Sequence, residues 1–192
     1  SSHTKNVSIN SFEYAFLPVE MRMPLKFGSE SVSHVNCLRV AADVVSPEGL
    51  CGTGWGETPL SVTWAWPSAT LSYDKRYEVM VAFCKFAAQA FVEVNESGHP
   101  MEIGHAFLED RLPAVLTAFN QNYLAEPMPY LAALIVLSAF DIAVHDAYGN
   151  LHQIDIYDTY SSEYMTHDLS YYFGSSPEAD RFKGMFPNDF LE

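Results

Sequence analysis

The sequence predicts an α+β fold: a three-stranded antiparallel sheet followed by a bundle of about three helices. Two observations carry this reading. The first 57 residues hold β-branched and aromatic runs punctuated by Pro and Gly, and from Asp74 onward apolar residues recur at helical spacing. Strands first and helices afterwards place the helices together on one sheet face.

Taken in order, Val7-Ser8-Ile9 and residues 12–16 form the first strand, which ends at Pro18. Residues 34–45, with Val35, Leu38, Val40, Val44 and Val45, form the second. The turn Ser46-Pro47-Glu48-Gly49 joins it to a third strand, residues 50–57, carrying Gly52, Gly54 and Gly56. Residues 17–32 read as a long loop containing Arg22-Met23-Pro24-Leu25-Lys26-Phe27-Gly28, and a loop that long in a compact domain is usually functional. Tyr77, Met80, Val81, Cys84, Ala88, Phe91 and Val94 then mark one face of an amphipathic helix over residues 74–95. Ser97-Gly98-His99 breaks it, and Pro100 suits the first turn of the next helix. Pro113 either kinks that helix or starts another. Pro127-Met128-Pro129 opens the last helix, residues 130–148, which Gly149 closes in the left-handed position. Its first half is apolar all round, which predicts burial on more than one side. Residues 155–160 and 168–174 are aromatic and acidic without periodicity. They read as a connection that packs on something outside this chain.

Composition narrows the function. Of 192 residues 48% are hydrophobic, so wholesale disorder is excluded. The 24 acidic and 10 basic side chains give a net charge of −14, which disfavours nucleic acid and anionic membrane surfaces. Residues 1–140 hold 14 acidic and 8 basic side chains (net −6), and residues 141–192 hold 10 and 2 (net −8), a shift that sets a boundary near residues 141–150. The expected organisation is therefore a domain over 1–150 and a linker over 151–192. Cys37, Cys51 and Cys84 match no zinc spacing and read as free thiols of a cytoplasmic protein. The N-terminal residues show no signal-peptide pattern, and the apolar stretch 131–140 falls short of the ~20 residues a bilayer needs.

Few residues suggest chemistry on their own. Gly52-Thr53-Gly54-Trp55-Gly56-Glu57 is neither a Walker A sequence nor a GxGxxG; the glycines relieve crowding along a strand or admit a bulge. Ser138, Asp141 and His145 share a helix face and read as a polar stripe that bonds to a neighbouring element, with too few ligands for a metal. No catalytic constellation assembles. Arg22 and Lys26 lie on the long loop, either as solvated charges or as a cationic pair that closes over a carboxylate. Trp55, Trp64 and Trp66 surround Glu57-Thr58-Pro59-Leu60 and either wall a pocket or pack under the loop.

The order Arg22-Met23-Pro24-Leu25-Lys26-Phe27-Gly28, then Gly54-Trp55-Gly56-Glu57-Thr58-Pro59-Leu60-Ser61, then Ser138-Ala139-Phe140-Asp141-Ile142-Ala143-Val144-His145-Asp146-Ala147-Tyr148-Gly149 resembles the N-terminal capping domain of the enolase superfamily, in its mandelate racemase/muconate lactonizing branch. The resemblance implies a parent protein in which the cap precedes a (β/α)-barrel. Such a protein abstracts the proton α to a carboxylate and stabilises the enediolate on Mg²⁺, giving racemase, cycloisomerase or acid-sugar dehydratase reactions. The base, a Lys or His, and the three acidic metal ligands lie on barrel strands, which are not found in these 192 residues. No catalytic or metal-binding residue is therefore assigned here. What the resemblance carries over is the role of the cap's two loops, residues 17–32 and 55–66, which close over the barrel mouth. On that basis Arg22, Lys26, Trp55 and Trp66 are the candidate substrate-binding residues, with Glu57 structural and the Ser138/Asp141/His145 stripe facing the barrel. The expected partners are a small carboxylate, the parent's barrel and further copies of the protein. The alternative is a non-catalytic binding module with the same fold.

Overall fold

In the computed structural model, which describes residues 2–28, 30–123 and 125–191, strand β2 (Glu30–Val45) buries Leu38, Val40, Ala42 and Val44 and turns Arg39, Ala41 and Asp43 to the other face. That period of two makes one sheet face core and the other solvent-facing. β2 is the central strand of a sheet ordered β1-β2-β3, flanked antiparallel by β1 (Ser8–Phe27) and β3 (Cys51–Pro59). The turn at residues 46–49 joins β2 to β3, with the Ser46 N–H donating to the Leu50 carbonyl at 2.8 Å and Gly49 at φ 86°.

The strands are longer than expected. Residues 17–32 do not form a loop: β1 and β2 pair from Ser8↔Val45 out to Phe27↔Glu30. Pro18 does not end β1, because β1 lies at the sheet edge, where a missing N–H need not break the ladder. Residues 21–24 stand against Ser33 alone, a bulge that accommodates Pro24. Gly28, at φ 60°, begins the turn at the tip; Ser29 lies outside the described residues.

The helices α1 (Val62–Ala65), α2 (Tyr73–Glu93), α3 (Pro100–Asp110), α4 (Leu112–Asn120) and α5 (Tyr130–His152) cover the inner face. Ser72 caps α2 by accepting from the Lys75 N–H. His99 caps α3, with Pro100 in its first turn and Glu102 returning to the His99 N–H at 3.1 Å. Pro113 starts α4 rather than kinking α3. α5 continues through Gly149 to His152, and Gln153 takes the left-handed position at φ 55°. Gly149 serves a different purpose: a Cβ there would lie 3.0 Å from the Ile154 carbonyl, where the chain folds back.

α5 lies against β3 with backbone nearly touching backbone. A Cβ at Gly54 would stand 2.6 Å from the Ala143 carbonyl, one at Gly56 2.6 Å from the Ala143 nitrogen, and one at Gly52 2.6 Å from the Leu151 Cβ. The spacings match, since two strand residues rise about 6.6 Å and four helical residues about 6 Å. Glycine at every second strand position thus faces Ala139, Ala143 and Ala147 at every fourth helix position. The β2–β3 register is unbroken, so these glycines serve close packing and not a bulge. Asp146 and Asn150 complete the contact by bonding the Trp55 N–H at 2.8 Å and the Thr53 carbonyl at 2.9 Å. By length and composition α5 could cross a bilayer; here its apolar first half buries Ala132, Ala133, Val136, Leu137, Ala139 and Phe140 inside the fold.

Residues 156–191 pack in part on this chain itself. Thr159, Met165 and Ala179 are buried, Glu102 accepts from the Thr166 and His167 N–H groups, and Lys5 pairs with Glu163. Cys37 and Cys84 are buried and Cys51 is exposed, all as free thiols.

Candidate functional site

Beyond Cys37↔Pro59, where β3 ends, β1 and β2 continue as a two-stranded ribbon for about seven further residues of β2, roughly 20 Å. Arg22 occupies the bulge and Lys26 pairs across from Ser31 near the tip. Both are exposed, and among the described residues neither makes a hydrogen bond or ion pair. Met23 is 77% exposed and Leu25 50%. The tip is thus apolar and cationic on an otherwise acidic chain.

The far end of the ribbon is held by Arg76, a buried side chain of α2, because its partner Glu30 is the first residue of β2 and pairs across from Phe27 at the tip. Its guanidinium donates to the Trp66 carbonyl and the Ser72 carbonyl, and pairs with Glu30 of β2 at 3.4 Å. The Leu60 N–H donates to the Asn36 carbonyl at 3.0 Å, tying the exit from β3 to the start of the ribbon. A lone hairpin is marginal in water, so these two contacts, at Asn36 near the base and at Glu30 beside the tip, hold the ribbon in place.

The tryptophans separate. Trp66 lies in the core, 2% exposed, with its indole N–H donating to Glu126 at 2.8 Å. Hydrogen bonds from Thr70, Ser68 and Trp66 hold the Glu126 carboxyl below its usual range. Trp55 is exposed on the outer sheet face opposite Ala41, eight residues of β2 and roughly 25 Å from the Arg22 bulge. The structure therefore brings Arg22 and Lys26 into one region, the ribbon tip, and brings neither Trp55 nor Trp66 to it. Two aromatic residues lie beside the ribbon: Tyr73, which lines a hollow with Glu30 and His34, and Trp64, 53% exposed, which lines an open hollow of about 690 Å³ with Gly28 and Glu30. Sequence reasoning did not select Trp64, although a signal was available: Val62, Ala65 and Trp66 at i, i+3 and i+4 define a buried face in one helical turn and leave Trp64 outside. Glu57 pairs with Arg39 across the strands at 2.7 Å.

The polar stripe of α5 faces other elements of this chain. Ser138 shares a hydrogen bond with Thr58 of β3 at 2.7 Å and donates to the Ile135 carbonyl. Asp141 lies against Gly104 of α3, where a Cβ would meet its Oδ1 at 2.6 Å. Burial raises the Asp141 carboxyl and lowers the His145 imidazole. His99, fully buried, accepts from the Met101 N–H through Nδ1 and so presents Nε2–H to Thr159 at 2.9 Å. Burial, with His145 and His152 nearby, pushes its pKa down to about 3. Among the described residues no three His, Cys, Asp or Glu side chains converge as a metal site, so the chain's residues do not fit the Mg²⁺ that the resemblance implies.

No family model and no curated protein matches the chain. Among solved structures it is similar to the L-Ala-D/L-Glu epimerase from Bacillus subtilis, at 15% identity and TM-score 0.42 over 80% of this chain and 34% of that one. It is similar to a mandelate racemase/muconate lactonizing enzyme-like protein from Rubrobacter xylanophilus, at 18% and 0.39 over 79% and 33%. It is also similar to an enolase, a putative sugar isomerase, from Streptomyces coelicolor, at 17% and 0.41 over 90% and 38%. The chain spans about a third of the length of the solved chains it resembles.

Proposed function

We propose that this chain is the substrate-capping part of an enolase-superfamily enzyme that abstracts the proton α to a carboxylate. The observation that carries the reading is the projecting ribbon, which holds Arg22 and Lys26 unpaired beside exposed Met23 and Leu25. The three motifs of the resemblance support it, falling on the ribbon, on β3 with the turn after it, and on α5. Arg22 pairs with a carboxylate through two parallel N–H bonds, and Lys26 adds a second positive charge. Met23 and Leu25 exclude water as the ribbon settles over the substrate, which strengthens both pairings. The pairing of Arg76 with Glu30 beside the tip limits the ribbon to a narrow range of positions. The proton-abstracting base and any metal ligands belong to a barrel that this chain does not supply.

The test is solvent-deuterium exchange at the α-carbon of a panel of 2-substituted carboxylates, with Mg²⁺ present, using the protein of the complete reading frame. Exchange with at least one member supports the proposal. Absence of exchange across the panel, with the protein folded, favours the non-catalytic binding module instead.

A further inference from the structure

A second place in the molecule holds polar groups the fold does not satisfy. Between α3 and α5 lies a cleft of about 350 Å³ walled by Phe91, Leu108, Leu134 and Leu137, with Asp141 and His145 at its polar end. That volume is about twice the 150 Å³ that takes one benzene, and lies at the low end of small-molecule sites. Among the described residues the half-exposed Asp141 carboxylate accepts no hydrogen bond from the protein, and two buried atoms of the lining, His145 Nε2 and Tyr172 Oη, have no partner. The Asp141 carboxylate and His145 Nε2 stand 4.0 Å apart, too far to bond each other. A buried polar atom such as His145 Nε2 costs stability while it lacks a partner, and a bound ligand can supply one.

We propose that the α3–α5 cleft binds a small primary amine with an apolar body. Two acceptors 4.0 Å apart are spanned by one ammonium nitrogen with a hydrogen bond of about 2.9 Å to each. Tyr160 Oη lies 3.5 Å from His145 Nδ1 and can accept from a proton there, the tautomer in which Nε2 offers a lone pair to an ammonium. Burial keeps the imidazole neutral, which preserves the lone pair. The Asp141 carboxylate supplies the charge that an ammonium needs and repels an acid. Gly104 is what admits it, since a Cβ on α3 would occupy the place of Oδ1. The apolar walls take an aromatic ring or a short aliphatic chain. The inference is independent of the capping function, because the ribbon contributes nothing to the cleft.

The experiment is an NMR titration of the 192-residue chain, following the His Cε1–H signals, with 2-phenylethylamine, 2-phenylethanol and 3-phenylpropionate in turn. About 0.15 M salt screens the general attraction of amines to an acidic surface. The expected result is a saturable shift at His145 with the amine, at least tenfold weaker binding of the alcohol, and no shift with the acid. Asp141→Asn should weaken the amine at least tenfold. Leu134→Trp, which keeps the carboxylate and fills the cleft, should abolish binding and gives the answer if Asp141→Asn does not fold. Equal binding of amine and alcohol, unchanged affinity in either variant, or a non-saturating shift shared equally with His167 overturns the proposal.

Discussion

β3 and the distal ribbon belong to the same sheet and meet its neighbours in opposite ways. Along β3 every second residue is a glycine because α5 leaves no room for a side chain, and the edge N–H of Trp55 is bonded by Asp146. Along the ribbon Arg22, Met23, Leu25 and Lys26 are exposed, the bulge at residues 21–24 interrupts the ladder, and Arg76 holds the far end through Glu30. One region is specified by exclusion of volume and tolerates almost no change. The other is held by one contact near each end, at Asn36 and Glu30, and leaves Arg22, Met23, Leu25 and Lys26 open to a ligand.

That contrast predicts an ordered series of effects. Gly54→Val places two methyl groups where the α5 backbone stands and should cost about 3 kcal/mol or more, read as the shift in urea midpoint at unchanged m-value. Arg76→Met leaves Glu30 and the Trp66 carbonyl unpaired; it should cost about 2 kcal/mol in the same measurement. Amide exchange should rise along residues 18–36 and not along β3. If exchange rises equally in both regions, the anchor is not local.

His99 gives a pH-dependent effect in the rigid half. Its folded pKa, about 3, lies below the usual 6.5, so the stability tied to the neutral ring is complete above pH 6.5 and is lost as pH falls below it. The loss is about 1.4 kcal/mol per pH unit, or about 2 kcal/mol at pH 5. The groups facing the ring are His145, Tyr148, Tyr160 and Thr159, with His152 nearby, and none of these is a carboxylate. Asp141, raised by burial, works in the opposite direction, so the decisive quantity is the pH 7 to pH 5 difference of the protein minus that of His99→Asn. The smallest effect belongs to the tip: Met23→Ser and Leu25→Ser should each change stability by less than about 0.5 kcal/mol, because both side chains are already in water.

The sheet and helix faces were legible because burial imposes a period on sequence. The alternation around Val40 translates directly into a buried face. In α2 Met80, Cys84 and Phe91 are buried as expected, whereas Tyr77, Val81, Ala88 and Val94 are only partly buried and Val79, Phe83, Ala87 and Ala90 complete the face. The ribbon was not legible, since Pro18 and Pro24 signal a break unless the strand is known to lie at an edge. The purpose of the glycines became plain only with α5 in place, because close approach is a tertiary fact. Arg22 and Lys26 could be found as rare cations in an acidic chain. Trp66 could not be separated from Trp64 without treating one short turn as a helix, and the returning segment after residue 155 carries no period at all.

The most direct test of the ribbon's role compares kcat/KM for α-proton exchange between the complete protein and its Arg22→Ala/Lys26→Ala variant. Both residues are exposed, and among the described residues their side chains make no hydrogen bond or ion pair, so the variant should melt as the parent does. The predicted result is a loss of at least tenfold, carried mainly by KM. Unchanged kcat/KM in the double variant would contradict a substrate-facing ribbon.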